Sequence, residues 1–199
     1  MLFRSLVLPT GTGKTLVFSK VVEEEVRKGE KALILAHRGE LLDQASDKLY
    51  QTTGLTTSLE KAESTSIGSC ERVTVASVQT LSQEARLKKF KKDDFGVIVV
   101  DEAHHAMSET YQRVLKYFDS AKVLGVTATP DRADQKNLGQ FFDSKAYEYT
   151  LHQAVKEGYL CPVKAQMIPL ELDIRNVGLS NGDYAVGEIG SSLEPYLNQ

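Results

Sequence analysis

Short apolar runs rich in β-branched residues alternate along the chain with longer amphipathic stretches. Five of these runs are candidate strands: Leu6–Leu8, Ala32–Ala36, Val73–Ala76, Val97–Val100 and Val123–Val126. Because the runs are apolar at nearly every position, we expect both faces of each strand to be covered. Strands of this kind in alternation with helices are typical of a parallel sheet. The pattern therefore predicts an α/β fold of three layers, α/β/α, with a mainly parallel central sheet.

Three stretches between the runs have the spacing of amphipathic helices. Lys14–Lys28 is followed by Gly29, a common residue after a helix end, and Ser108–Phe118 opens with a favoured N-cap residue. Gly39–Tyr50 places its leucines and an alanine on one face. The polar, Thr- and Ser-rich segment Thr52–Gly68 predicts a loop around a short edge strand.

The alternation fades after Pro162. Val163–Leu170 predicts one last strand, and the glycine-containing stretch Arg175–Gly190 predicts a loop leading to a short helix, Glu188–Leu197. These last residues contain too little apolar surface to form a core alone. We therefore predict one domain over residues 1–170 and a tail or linker over residues 171–199.

Composition restricts the class of protein without deciding its function. The 199 residues are 41% hydrophobic and 26% charged, with no apolar run long enough to cross a bilayer. A net charge of −3 does not indicate a nucleic-acid binder, although a local basic groove would be compatible with it. The two cysteines have no metal-ligand spacing, so we expect free thiols and a cytoplasmic location. Because no apolar run is long enough to cross a bilayer, we expect no membrane partner.

The segment Leu8–Thr15, with the sequence LPTGTGKT, has the features of a phosphate-binding loop. It follows a predicted strand and opens a predicted helix, so backbone N–H groups and the helix N-terminus would face phosphate oxygens. Lys14 would reach the β- and γ-phosphates, and the Thr15 hydroxyl would bind Mg²⁺. Leu8 departs from the glycine that usually opens the pattern, and a turn that binds nothing is the alternative. The candidate cofactor-binding residues are Thr10, Gly11, Thr12, Gly13, Lys14 and Thr15.

Two adjacent carboxylates, Asp101 and Glu102, follow the apolar run Val97–Val100. Acids at the carboxyl end of a central strand lie where ligands bind in such sheets. Asp101 would hold Mg²⁺, and Glu102 would orient and deprotonate the attacking water. The alternative is a solvated turn after the strand. With the phosphate loop upstream, Glu102, Asp101 and Lys14 are the candidate catalytic residues, and Thr15 and Asp101 the candidate metal ligands.

The combination of Asp-Glu-Ala-His with Gly-Thr-Gly-Lys-Thr resembles the superfamily 2 helicases and translocases, in particular the group similar to type III restriction-enzyme subunits. Further segments are similar to that family's motifs and occur in the family's order: Leu35–Gln44, Val75–Leu81, Gly125–Pro130 and Leu151–Leu160. The resemblance covers nearly the whole chain. It implies a P-loop, RecA-like ATP-binding domain, the first of the two motor domains that such proteins use.

The resemblance also implies roles for residues that would attract little notice alone. Those implied to contact nucleic acid are His37, Arg38, Ser77, Gln79, Thr80 and Arg132. Those implied to couple nucleotide state to strand movement are His104, Thr127 and Thr129, with His104 bridging Glu102 to the threonines. Read from the residues alone, the polar groups after strands could equally cap helices or lie in solvent. His105 is expected at the surface.

The implied function is the ATP- and Mg²⁺-binding motor domain of a nucleic-acid-dependent ATPase, a helicase or translocase, with DNA favoured over RNA as the nucleic acid. We expect it to need a second RecA-like domain, in the full-length protein or in trans, which supplies an arginine finger. Two alternatives remain. One is a module that binds nucleotide or nucleic acid without turnover. The other is a small-molecule P-loop kinase, although an arginine-rich lid is not evident in the sequence.

Overall fold

The five apolar runs form strands, and four further strands join them in a computed structural model of the chain. The structure describes residues 3–37, 39–62, 64–128, 142–162, 164, 179–180 and 183–184, with the backbone alone for residues 39–41, 179–180 and 183–184. The strands are β1 (Phe3–Val7), β2 (Ala32–Ala36), β3 (Thr57–Glu60), β4 (Val73–Ser77), β5 (Val97–Asp101), β6 (Lys122–Thr127), β7 (Ser144–Glu148), β8 (Leu179–Ser180) and β9 (Asp183–Tyr184).

The described helices follow the strands in the order expected of an α/β fold. They are α1 (Lys14–Arg27), α2 (Gly39–Thr53), α3 (Val78–Leu81), α4 (Glu84–Leu87), a 3-10 helix (Ala103–Met107), α5 (Glu109–Tyr117) and α6 (Leu151–Lys156). The three predicted helices are present, each with ends within a few residues of those predicted. No described helix is long and apolar enough to cross a membrane.

One seven-stranded sheet contains β1 to β7 in the order β3-β4-β2-β5-β6-β1-β7, and every pairing in it is parallel. Parallel neighbours require crossover connections, which the helices provide. The strands after which the candidate chemistry lies are central: β6 separates β1 from β5, and β2 borders β5 on its other side. The predicted edge strand is β3.

Hydrophobic side chains cover both faces of the sheet, as the unbroken apolar runs predict. In β2, Leu33 and Leu35 pack into the core on the face that carries α5, whereas Ile34 packs into the core on the face that carries α1 and α2. All three are fully buried. Successive residues of a strand point to opposite faces, so β2 supplies both cores. The predicted three-layer α/β/α fold is confirmed.

The sequence pattern missed β7, whose five residues are all exposed. It also did not predict β8 and β9, which form a short antiparallel hairpin in the stretch that we expected to be a loop. The chain divides into two units, 1–161 and 162–199. The predicted boundary after residue 170, the last strand Val163–Leu170 except for Lys164, and the helix Glu188–Leu197 lie outside the described residues and stay predictions.

Candidate functional site

The carboxyl ends of β1, β6 and β5 meet at one edge of the sheet, because these strands are neighbours. Val7 pairs with Thr127, and Val126 pairs with Asp101. The predicted phosphate loop leaves this edge after β1, and the two carboxylates leave it after β5. Residues about 90 positions apart in the sequence are therefore side by side, with Thr127 between them. Ligands bind at this edge in open α/β sheets.

The loop between β1 and α1 has the backbone that a phosphate site needs. Gly11 and Gly13 both adopt φ of 87°, in the left-handed region that favours glycine. Thr12 folds back, and its hydroxyl donates to the Pro9 carbonyl oxygen at 2.7 Å. Helix α1 begins at Lys14, and its N-cap residue is Gly13, which has no side chain to accept hydrogen bonds from the first helical N–H groups. Its first N–H groups thus lack a cap from that residue, as is suitable for anion binding.

The side chains of Lys14 and Glu102 come together across this edge. Lys14 Nζ lies 3.8 Å from Glu102 Oε1. Glu102 has φ of 52° and ψ of 57°, a left-handed conformation that is costly for a residue with a side chain. Its backbone N–H donates to Asp101 Oδ1 at 3.0 Å. The strained turn directs two successive carboxylates from the end of β5 to the same edge as the phosphate loop.

The environment of Asp101 disfavours a negative charge. Burial, and then the neighbouring charge of Glu102, raise the pKa of Asp101 above its ordinary value. Tyr111 lies close enough that burial, followed by the charges of Asp101 and Glu102, raises the pKa of its hydroxyl as well. The Tyr111 hydroxyl is buried and has no hydrogen-bond partner among the described residues. A cation would offset the repulsion between the two carboxylates, so the carboxylate edge fits Mg²⁺.

His104 contacts both groups that the sequence predicted it to bridge. Its Nδ1 atom lies 3.4 Å from Glu102 Oε2 and 3.5 Å from Thr127 Oγ1. Thr127 is fully buried, and its carbonyl oxygen accepts from the Leu8 N–H at 3.0 Å, which ties it to the start of the phosphate loop. Gly125 leaves the room beside β6 in which Ala103 packs, so the 3-10 helix lies close to that strand.

Three of the predicted nucleic-acid residues form a hydrogen-bonded row beside the carboxylates. Ser77 Oγ donates to Gln79 Oε1 at 2.8 Å, and Gln79 Nε2 lies 3.1 Å from His37 Nδ1. Thr80 is engaged elsewhere, since its hydroxyl oxygen accepts from the Ala62 N–H at 3.1 Å. The other predicted contacts and the second coupling threonine lie outside the described residues: Arg38, Arg132 and Thr129.

Sequence reasoning missed a buried ion pair that supports the segment next to Thr80. Glu60, at the end of β3, is completely buried, and its Oε1 atom lies 2.5 Å from Arg86 Nη1. Glu60 Oε2 accepts from the N–H of Ser66 at 2.7 Å, and Arg86 also donates to the Ala62 carbonyl oxygen. An acid at the end of a predicted edge strand and an arginine in a short helix gave no sequence signal of this pairing.

Sequence reasoning also placed His105 at the surface without a role. The ring is exposed, yet it stacks on His37 with centroids 4.9 Å apart and lies 4.1 Å from the ring of His104. The doubled histidine after Asp-Glu-Ala was a visible signal. Its partner could be found only once β2 and β5 were known to be neighbours.

Comparison with known proteins agrees with this geometry. The family model for the type III restriction enzyme res subunit matches residues 4–132, which is more than half of the chain. The chain belongs to this family. The match includes the phosphate loop, the Asp-Glu-Ala-His segment and β6, and it confirms the resemblance seen in the motifs.

Other members of this helicase group are similar over most of the chain. The Saccharomyces cerevisiae protein named ATP-dependent helicase IRC3 is 31% identical over 94% of this chain and 29% of its own length. XPB, the helicase/translocase subunit of general transcription and DNA repair factor IIH of Drosophila melanogaster, is 29% identical over 80% of this chain and 21% of its own length. The chain thus spans less than a third of either relative.

A solved structure has the same fold. The helicase domain of Hef from Pyrococcus furiosus superposes with a TM-score of 0.64 at 25% identity, over 74% of this chain and 35% of that one. The res-subunit family chain therefore has the RecA-like α/β/α fold of helicase motor domains. The Saccharomyces cerevisiae relative is named an ATP-dependent helicase.

Proposed function

We propose that this chain is the ATP-binding motor domain of a nucleic-acid-dependent ATPase, a helicase or translocase. One observation carries the proposal: Lys14 of the phosphate loop reaches to 3.8 Å of Glu102 at the end of β5. A phosphate-binding lysine and a candidate base belong together in a site that cleaves a phosphoanhydride bond with water. Family membership supports the same conclusion, and it disfavours the alternative of a small-molecule kinase.

Each residue at the edge has a proposed part in hydrolysis. The loop Thr10–Thr15 holds the phosphates through its N–H groups, and Lys14 neutralises their charge. Thr15 and Asp101 would hold Mg²⁺, which when bound draws charge from the phosphate oxygens. Glu102 accepts the proton of the attacking water and orients that water towards the terminal phosphorus. Phosphates compete with Glu102 for Lys14, so nucleotide binding releases one oxygen of the base.

We propose nucleic acid as the second ligand, and DNA before RNA. Ser77, Gln79, Thr80 and His37 offer hydroxyl, amide and imidazole groups of the kind that contact phosphate oxygens. Arg38 and Arg132 are proposed to add positive charge, and His104, Thr127 and Thr129 to couple this face to the nucleotide. DNA is favoured by the family's description as a restriction-enzyme subunit and by the naming of XPB as part of a DNA repair factor.

We further propose that a second RecA-like domain completes the site. The relatives are more than three times as long as the part that matches this chain. Such a domain would bring an arginine finger to the phosphates and close on the nucleic acid. Residues 1–170 are the proposed first motor domain, with residues 171–199 as the tail or linker. Two exposed free cysteines, Cys70 and Cys161, fit the reducing cytoplasm that we propose as its location.

Steady-state phosphate release tests the proposal. The chain is assayed alone and with a second motor domain supplied as a fusion or in trans, each with single- and double-stranded DNA and RNA. We expect near-background hydrolysis from the chain alone. With the second domain we expect stimulation by nucleic acid, and more by DNA. Lys14→Ala should weaken binding of a fluorescent ATP analogue at least about tenfold, the loss of a charge-assisted contact.

Lys20→Ala is the matched control, because Lys20 lies on the same helix and pairs only with Glu23 at 2.8 Å in the described part of the chain. It should leave both binding and the far-UV spectrum unchanged. Nucleotide binding without hydrolysis in every combination would favour the module that binds without turnover. Equal affinity of Lys14→Ala and the unsubstituted chain would overturn the phosphate-loop assignment. Rapid turnover by the chain alone would overturn the need for a second domain.

A further inference from the structure

Three histidine rings form a continuous row at the carboxyl edge of the sheet. His37 follows β2, and His104 and His105 belong to the 3-10 helix that follows β5, the neighbouring strand. The rings of His37 and His105 stack with an interplanar angle of 26° and centroids 4.9 Å apart. Those of His105 and His104 are tilted by 46°, with centroids 4.1 Å apart. His105 is therefore the middle of the row.

The two ends of the row reach the two proposed ligand sites. At one end His37 Nδ1 lies 3.1 Å from Gln79 Nε2, and Gln79 in turn accepts from Ser77. At the other end His104 contacts Glu102 and Thr127. The row is thus an unbroken series of contacts between the segment proposed to bind nucleic acid and the proposed base.

The His104 end has two arrangements that exclude each other. A single ring nitrogen, Nδ1, faces both Glu102 Oε2 at 3.4 Å and Thr127 Oγ1 at 3.5 Å. With a hydrogen on Nδ1, the ring donates to the Glu102 carboxylate. With the ring turned away from Glu102, the same N–H donates to the Thr127 hydroxyl oxygen instead. A small rotation of the ring selects between the two partners, and the ring that packs against His104 controls that rotation.

We propose that His105 is a positioning residue that stacks between His37 and His104. Through this stacking, the contact of His104 with the Glu102 carboxylate depends on whether Gln79 binds a phosphate oxygen. The inference rests on the proposed function. A phosphate oxygen that takes the Gln79 amide hydrogen removes the contact with His37. The His37 ring is then free to move, the stack relaxes, and His104 turns from Glu102 towards Thr127. Glu102 is left to accept a proton from water. Coupling of two sites requires such an element with two arrangements.

The row can be tested by spectroscopy, without an activity assay. The histidine spectrum is simple because the protein has only four histidines. The imidazole nitrogens of the full chain are observed by two-bond ¹H–¹⁵N spectroscopy, with His152 in α6 as the internal reference. Gln79→Ala should shift the resonances of His37, His105 and His104 and leave His152 unchanged. Gln51→Ala, an exposed glutamine in α2, is the matched control and should shift none. In a His105→Ala background, Gln79→Ala should no longer shift His104.

The second test measures coupling in the form of the protein that hydrolyses ATP with nucleic acid. His105→Ala should reduce the factor by which DNA stimulates kcat about tenfold, within the usual range of coupling between sites. His105→Phe keeps an aromatic ring in the stack and should restore most of the stimulation. His152→Ala, on an exposed histidine, should match the unsubstituted protein. DNA affinity is measured for each variant by fluorescence anisotropy.

The outcomes distinguish the proposed role of His105 from the proposed function. If nucleic acid does not change the rate of hydrolysis by the unsubstituted protein, the proposed function is contradicted. The spectra still report on the row in that case. Normal stimulation in His105→Ala, or a His104 resonance that ignores Gln79→Ala, would overturn the role of His105 and leave the proposed function standing. A loss that appears only as weaker DNA binding, or that is equal in His105→Ala and His105→Phe, would also overturn it, because His105 would then act as a contact.

Discussion

The surroundings of largely buried acidic side chains shift their pKa values in opposite directions at the two ends of the sheet. Towards the amino ends of the strands, Glu25 of α1 is nearly buried and lies 2.8 Å from Lys28 Nζ and 2.9 Å from Lys122 Nζ. Hydrogen bonds from Lys28 and then Lys122 lower the pKa of Glu25. At the carboxyl ends, burial and the charge of Glu102 raise the pKa of Asp101, and among the described residues the ammonium group nearest to Glu102, that of Lys14, lies 3.8 Å away.

This difference separates residues that stabilise the fold from residues that we propose bind a ligand. At the amino end, the protein neutralises its own charges, so the carboxylate contributes to stability. At the carboxyl end, two adjacent carboxylates and a left-handed Glu102 are retained at a cost in free energy. A cation bound there would offset that cost. Active sites commonly carry such a conflict between stability and function.

Glu60 shows that the difference lies in the partners and not in the end of the sheet. It also ends a strand at the carboxyl edge, but Arg86 and the Ser66 N–H donate hydrogen bonds to its carboxylate. We therefore expect the ion pair of Glu60 to stabilise the fold, although Glu60 lies at the same edge as Glu102. Substitutions of Glu102, of Arg86 (the partner of Glu60) and of Glu25 can break this comparison.

The largest effect is expected at the proposed base. Glu102→Gln should lower nucleic-acid-stimulated hydrolysis by about a hundredfold or more, because the amide cannot accept the proton of water. Binding of Mg²⁺–ATP should persist. The free energy of unfolding should change by less than about 0.5 kcal/mol, since the ion pair of Glu102 with Lys14 is long, at 3.8 Å, and the Glu102 side chain is partly exposed to solvent. Phosphate release and urea titration measure the two quantities. Hydrolysis at the unsubstituted rate would show that Glu102 is not the base.

The next effect concerns stability at the same edge. Arg86→Met should lower the free energy of unfolding by about 3–5 kcal/mol, because the buried Glu60 carboxylate loses its charge partner. Arg113→Met is the matched control, since Arg113 is exposed and donates to the Ser82 carbonyl oxygen at 3.3 Å. Its effect should be below about 1 kcal/mol. Similar urea midpoints for the two variants would mean that the Glu60 ion pair does not stabilise the fold.

The smallest effect is expected at the amino end, and it depends on pH. Glu25→Gln should cost about 1 kcal/mol at neutral pH, since both lysine partners are largely exposed to solvent. A folded pKa below the ordinary 4.5 means that this stabilisation is present above pH 4.5 and is lost as the pH falls through the lowered value. Urea titrations at several pH values measure it. Glu24→Gln, at an exposed neighbour, is the control, and a difference between Glu25→Gln and the unsubstituted chain that grows towards acid pH would contradict the sign.

Most of the fold could be predicted from the sequence because the central strands are buried on both faces. The bounds of β2 agree residue for residue with the apolar run, and the neighbouring strands differ from their runs by a few residues at the ends. Strand β7 could not be predicted in this way. Its residues, Ser-Lys-Ala-Tyr-Glu, are exposed, so neither a continuous run nor an alternation marks it.

The residues of the candidate site also fall into those that the sequence predicts and those that it does not. Local sequence identifies Lys14, Asp101 and Glu102, because a phosphate loop and paired acids after a strand each have a recognisable local pattern. Contacts between strands have no such pattern. The stack of His37 on His105 depends on β2 lying beside β5, and the link from Thr80 to Ala62 depends on the turn after β3. Sequence order alone reveals neither neighbour.

The position of β1 between β6 and β7 also determines when the proposed nucleotide site can first form in a newly made chain. Phe3 pairs with Val123, 120 positions later, so β1 must wait unpaired while the ribosome makes the intervening residues. At about 5–20 residues per second, this wait lasts roughly 6–24 s. During it β2, β4 and β5 can already pair with one another. The proposed phosphate loop is therefore translated well before the partner strands of β1, and the site cannot assemble during that interval.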